Sequence, residues 1–199
     1  TLFRSRVSNG TECLMRWANF AIFTFILLVV EHGMIQLWAI PAPPPDGVTP
    51  SLMLIMMVFV AMFAPTMTLA WAGIVLGLLV DLTWPADWVS QIVIIGPHAL
   101  GFLAGAYLTV YLRNMFFRQS SLTLTVMVFF AGLLAHLVVV GLLWLRTISW
   151  PGPHPVSDLL LVERFFGLFY TTVMAVPVGF LLFKVHLAFG FQSTKKGRR

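Results

Sequence analysis

The chain has 199 residues, 59% of them hydrophobic and only 10% charged, with a mean hydropathy of +0.94, against about half apolar and a quarter charged in soluble domains. That balance excludes a water-soluble fold, a disordered chain and a collagen-like repeat, and a single cysteine, Cys13, excludes a disulfide scaffold. The formal net charge of +5 reads as a record of membrane orientation rather than of nucleic-acid binding, because Lys and Arg sort to cytoplasmic loops.

Residues 1–16 are polar and carry Arg4, Arg6 and Arg16, and an apolar run then covers residues 17–40. With no small-x-small cleavage site at its end, this run reads as an uncleaved signal-anchor span. Pro41, Pro43, Pro44 and Pro45, followed by Asp46-Gly47, cannot continue a helix and form an exposed loop. Residues 51–84 are apolar except for a break at Pro65. One helix over all of them would be ~50 Å long against a hydrocarbon core of ~30 Å, so the pattern predicts a hairpin of two spans, 51–64 and 66–84. The next spans are 97–112, with Pro97 suited to a first helical turn, 122–145 and 159–185. Residues 88–95 read as an interfacial or re-entrant segment, and the proline-rich stretch 146–158 as a non-helical loop.

The expected fold is therefore all-α: one transmembrane domain of six helices, with tails 1–16 and 186–199 on the same side. Counting Lys and Arg tests this topology. Ten lie on the side of the termini, and two, Arg146 and Arg164, lie opposite, a strong positive-inside bias that places both termini in the cytoplasm. Merging residues 51–84 into one span would abolish it.

Ionisable residues inside spans are costly and are functional candidates for that reason. Glu31, Asp81 and His136 fall at a common depth of ~21–22 Å from the cytoplasmic ends of their spans, and His98 and Arg164 approach the same outer layer from the other side. The expected arrangement has Arg164 neutralising Asp81 or Glu31, with His136 completing the hydrogen bonding. The alternative is that His98, Glu163 and Arg164 reach water at the outer surface. Gly73 with Gly77, and Gly101 with Gly105, have the small-xxx-small spacing of closely packed helices. Pro177 and Gly179 suggest a kink or hinge in the last span.

Catalytic patterns are missing from the sequence. It contains neither a His-Glu-x-x-His zinc pattern nor a Gly-x-Ser-x-Gly elbow, and no phosphate-binding glycine loop. A metal site would have to be assembled from His32, His98 and His136 on separate spans. The expectation is a non-enzymatic protein with no cofactor and no metal.

Gly73-Ile-Val-Leu-Gly77-Leu-Leu-Val-Asp81, then Gly96-Pro-His98-Ala-Leu100 and a run ending Tyr107-Leu-Thr-Val-Tyr-Leu-Arg113, resemble the rod shape-determining MreD family. That family's pattern is a glycine-rich span ending Gly-Leu-Leu-x-Asp and a next span opening Gly-x-His-Ala-Leu; the connection between Asp81 and Gly96 is longer here. The resemblance implies a compact bundle similar to the S-components of energy-coupling-factor transporters, in the bacterial inner membrane. It implies a scaffold of the cell-elongation (rod) complex that binds MreC and links MreB to RodA and a class B penicillin-binding protein, so acting on peptidoglycan synthesis and cell shape. Asp81 and His98 would organise the outer-side packing where a partner span docks. Arg113, Arg118, Lys195, Lys196, Arg198 and Arg199 would face MreB or anionic lipid, or serve only as topology determinants. A competing reading is an S-component that binds a vitamin in the polar layer of Glu31, Asp81, His98, His136 and Arg164. Against it, span one lacks the Ala-x-x-x-Ala surface through which such components contact a coupling subunit.

Overall fold

The computed structural model describes residues 17–33, 48–83, 95–113, 115, 120–149 and 158–185. These residues form helices and no strands: α1 (Trp17–Gly33), α2 (Leu52–Phe63), α3 (Thr66–Thr83), α4 (Pro97–Arg113), α5 (Ser121–Ser149) and α6 (Asp158–Val185). Thr66–Thr83, Ser121–Leu145 and Arg164–Val185 are long and apolar enough to cross a membrane. Their outward faces carry exposed Met67, Trp71, Phe130, Leu137, Phe169 and Phe180, a surface that suits lipid and not water. The chain is a membrane protein.

α2 is the centre of the molecule. Its sequence, Leu-Met-Leu-Ile-Met-Met-Val-Phe-Val-Ala-Met-Phe, is apolar on every face, and every residue from Leu52 to Met62 is buried. A helix that is hydrophobic all round belongs inside, and here α1, α3, α4, α5 and α6 all pack on it. With 12 residues it is only ~18 Å long.

Contacts at the helix ends fix the directions. Glu31, near the end of α1, meets Met53 at the start of α2, while Arg113, the last residue of α4, meets Ala61 and Ala64 at the end of α2. Gly77 of α3 lies against Ala99 of α4, Gly101 and Gly105 of α4 lie against Ala135 and Ala131 of α5, and Gly132 and Gly179 lie against Leu168 of α6 and Leu124 of α5. Each helix is thus antiparallel to the one before it. The break at Pro65 separates α2 from α3 as a hairpin, and its hinge lies between Phe63 and Thr66.

Buried helix termini leave amides and carbonyls without intrahelical partners, and around α2 these have side-chain partners. Glu31 Oε2 accepts from the Met53 amide at 3.1 Å, and Ser51 Oγ accepts from that of Leu54 at 3.4 Å. The Ser51 amide in turn donates to Thr171 Oγ1 of α6 at 2.9 Å. At the other end Arg113 Nη1 donates to the carbonyls of Ala61 and Ala64, each at 2.8 Å. An acceptor at the N-terminus and a cationic donor at the C-terminus both suit the helix dipole.

One boundary and one helix interior bear on the sequence expectation. α5 continues to Ser149, past the expected end at 145, because Arg146-Thr-Ile-Ser holds no breaker and the first obstacle is Pro151 with its restricted predecessor Trp150. α6 runs unbroken through Pro177, and Gly179 is a packing position, where a Cβ would come within 3.0 Å of Ser121 Oγ. The end of the first apolar run (34–40), most of the loop 146–158, and residues 88–94 lie outside the described residues.

The glycines divide by what faces them. A Cβ on Gly77 would collide with the backbone of the next helix, 2.7 Å from both Ala99 N and His98 O. Gly101 and Gly105 are each 2.8 Å from a carbonyl oxygen of α5 on the same construction, whereas Gly73 finds only ordinary contacts at 3.7 Å. Gly77→Ala is therefore expected to lower stability by about 1–3 kcal/mol through overpacking, and Gly73→Ala to leave it nearly unchanged, in thermal unfolding of the purified protein in detergent. Arg113→Met strands two carbonyls and is expected to cost about 1–3 kcal/mol in the same assay.

Candidate functional site

The two buried carboxylates lie at the same end of the bundle, and both are bound by the N-terminus of another helix. Glu31 takes the first amides of α2. Asp81, on the last turn of α3, takes those of α4. Gly96 donates to Asp81 Oδ2 at 2.8 Å and Ala99 at 3.4 Å, and the His98 amide donates to Oδ1 at 3.2 Å. Pro97 has no amide to satisfy, and Leu100 donates to the Gly96 carbonyl at 2.9 Å. The whole first turn of α4 is thereby accounted for. Gly96 makes the turn possible, since its φ of +123° is a conformation that costs glycine least.

From Asp81 a chain of polar contacts crosses three helices. His98 Nδ1 lies 2.7 Å from Asp81 Oδ1, and His98 Nε2 lies 3.0 Å from Nη1 of Arg164 on α6. A guanidinium has donors only. Nε2 must then carry the lone pair and Nδ1 the proton, which makes His98 a neutral imidazole that donates to Asp81 and accepts from Arg164. The Asp81 side chain is 1% exposed and that of His98 14%, so the chain runs from the packed interior toward the end of the bundle.

Arg164 therefore reaches Asp81 through His98, whereas Glu31 is held by backbone amides. His136, on α5, lies near Arg164 and His98, and its Nδ1 is buried without a hydrogen-bond partner among the described residues. His32 bonds back to the Leu28 carbonyl of its own helix at 3.0 Å. No group of three or more metal-ligating side chains comes together among the described residues. Arg113 belongs to the opposite end, where it serves α2. Arg118, Lys195, Lys196, Arg198, Arg199 and the side chain of Glu163 lie outside the described residues.

Sequence reading missed the capping partners. Ser51 ahead of an apolar run is a helix-start signal that could have marked the beginning of α2. The use of Arg113 by α2 has no local signal, because donor and acceptors are 49 and 52 residues apart.

Comparison of the chain with protein-family models, curated proteins and solved structures finds no match. What can be said of function rests on the geometry.

All the observed donors around Asp81 point at it, so a substitution is damaging in proportion to the acceptors it removes. Asp81→Asn keeps one acceptor oxygen and sets its own amide against the remaining donors; Asp81→Leu keeps none. Thermal unfolding in detergent is expected to show a loss for Asn, and a larger one for Leu, with buried donors left unsatisfied at about 1–3 kcal/mol each.

Proposed function

We propose that the protein is a non-enzymatic scaffold of the MreD type, crossing the bacterial inner membrane six times with both termini in the cytoplasm. In this reading it binds an MreC-like single-span protein and helps couple MreB filaments to RodA and a class B penicillin-binding protein during peptidoglycan synthesis. The observation that supports it best is the meeting of Asp81 and His98. The two halves of the MreD-like pattern, Gly77-Leu-Leu-Val-Asp81 and Gly96-Pro-His98-Ala-Leu100, are joined by four hydrogen bonds to one carboxylate. Each residue of the pattern then has a use: Gly77 admits the backbone of α4, Asp81 caps it, Gly96 turns the chain and His98 carries the contact on to Arg164.

The alternating helix directions support six crossings, as does the ten-to-two distribution of Lys and Arg. A packed interior filled by an apolar helix supports a scaffold over a ligand carrier, since α2 occupies the centre of the bundle. In this reading a partner span docks at the end where Asp81, His98 and Arg164 meet.

The test is affinity purification of the tagged protein from native membranes in mild detergent. A single-span protein with a large periplasmic domain, in near-stoichiometric amount and with or without RodA, is the expected companion. Cytoplasmic ATPases with a membrane coupling subunit would overturn the reading in favour of a vitamin-transporter S-component.

A further inference from the structure

Arg113 closes α2 with one nitrogen only. Nη1 donates to the carbonyls of both Ala61 and Ala64, each at 2.8 Å, which uses its two hydrogens. A guanidinium carries its N–H donors in one plane, so Nε–H and those of Nη2 remain, and among the described residues they have no partner. Nε–H and one Nη2–H lie side by side and point the same way, the edge that grips a phosphate with two parallel hydrogen bonds. The two carbonyls fix the plane of the group, so this edge is pre-organised before any ligand arrives. We propose that it binds the phosphate of an anionic phospholipid, so that one arginine joins the end of α2 to the lipid headgroups.

The position supplies the ligand. α3 has 18 residues and is ~27 Å long against a hydrocarbon core of ~30 Å, so its Thr66 end lies at the border with the headgroups. Arg113 lies at that border too, since the Ala64 carbonyl it holds comes just before Pro65 and Thr66, and it is half-buried there. Trp17, which opens α1 at the same end, and Tyr111, one α4 residue away from Arg113 but for Leu112, are exposed, as aromatic side chains at a bilayer interface are. The charge at this end has one sign. Arg113 and Lys184, in the last turns of α4 and α6, stand here, while Glu31 and Asp81, and Asp158 and Glu163 at the start of α6, stand at the other end. A zwitterionic headgroup would bring a further cation to this place with its phosphate, and an anionic one does not, hence the preference. A lipid that binds only the folded bundle raises its stability, and here it does so by holding the group that closes α2. The inference needs a membrane-embedded bundle and none of the proposed protein partners.

The experiment follows thermal unfolding of the full chain in a neutral detergent as phosphatidylglycerol, phosphatidylcholine or inorganic phosphate is added. The expected result is a rise in the midpoint with phosphatidylglycerol, a smaller rise with phosphatidylcholine and none with inorganic phosphate at the same concentration. Arg113→Lys keeps donors for Ala61 and Ala64 but has no second edge, and its apparent affinity for phosphatidylglycerol should fall about tenfold. Lys184→Gln removes a charge from the same end and should bind the lipid as the parent does. In the parent protein, equal rises with the two lipids, or a rise with inorganic phosphate that matches phosphatidylglycerol, would overturn the proposal whether or not the lysine variant folds. An unchanged affinity in Arg113→Lys would also overturn it, as would an equal loss in both variants, the mark of general charge attraction.

Discussion

An apolar helix placed at the centre of a bundle solves the problem of its side chains and creates one for its ends. Along α2 every side chain from Leu52 to Met62 is buried, but a helix only ~18 Å long is shorter than the ~30 Å apolar core of a bilayer, so its first amides and last carbonyls need partners within the protein. Each such group left bare in that environment costs several kcal/mol. Glu31 answers this with an acceptor at the first amides and Arg113 with donors at the last carbonyls. The packing of the other helices follows from it, because α1 and α4 are tied near their last residues to the two ends of α2, and α6 is tied to its cap through Thr171.

The same device recurs where α3 meets α4. Asp81 closes the N-terminus of α4 as Glu31 closes that of α2, so both buried acids are neutralised largely by backbone dipoles and not by direct partners among the arginines. Arginine is then left for other work: Arg113 closes the far end of α2, and Arg164 is joined to the Asp81 cap through a neutral histidine. This division explains how a membrane bundle with few charged groups keeps carboxylates inside it without a direct ion pair for each.

Much of the helix layout was legible in the sequence. Apolar runs bounded by proline clusters mark the helices, and the hairpin at Pro65 follows from length alone. Distances along the spans put Glu31, Asp81, His98, His136 and Arg164 in one layer, of which the structure joins Asp81, His98 and Arg164 by direct contacts, and the glycine pairs indicated where helices approach closely. Spacing does not say what faces each residue, which is why Gly73 and Gly77 look equivalent in the sequence and differ in the structure by what a Cβ would meet there. Nor does it show that Arg113, at the edge of a basic loop, is used by a helix that ended 50 residues earlier. Partners of buried polar groups are chosen by tertiary proximity, and a long side chain at a span boundary can serve the loop or the interior equally well by sequence.

The closure of α2 by residues before and after it also bears on biogenesis. Its N-terminal amides meet a residue 22 positions away that has already been synthesised, but its C-terminal carbonyls wait for an arginine 49 to 52 positions further on. As the chain leaves the ribosome, α2 reaches the membrane with one end complete and the other open, and it remains so until α4 has been made. A short helix in that state is a poor candidate for independent insertion and a good client for whatever shelters unfinished segments at the translocon. The central helix is therefore made before α4 and finished only after it.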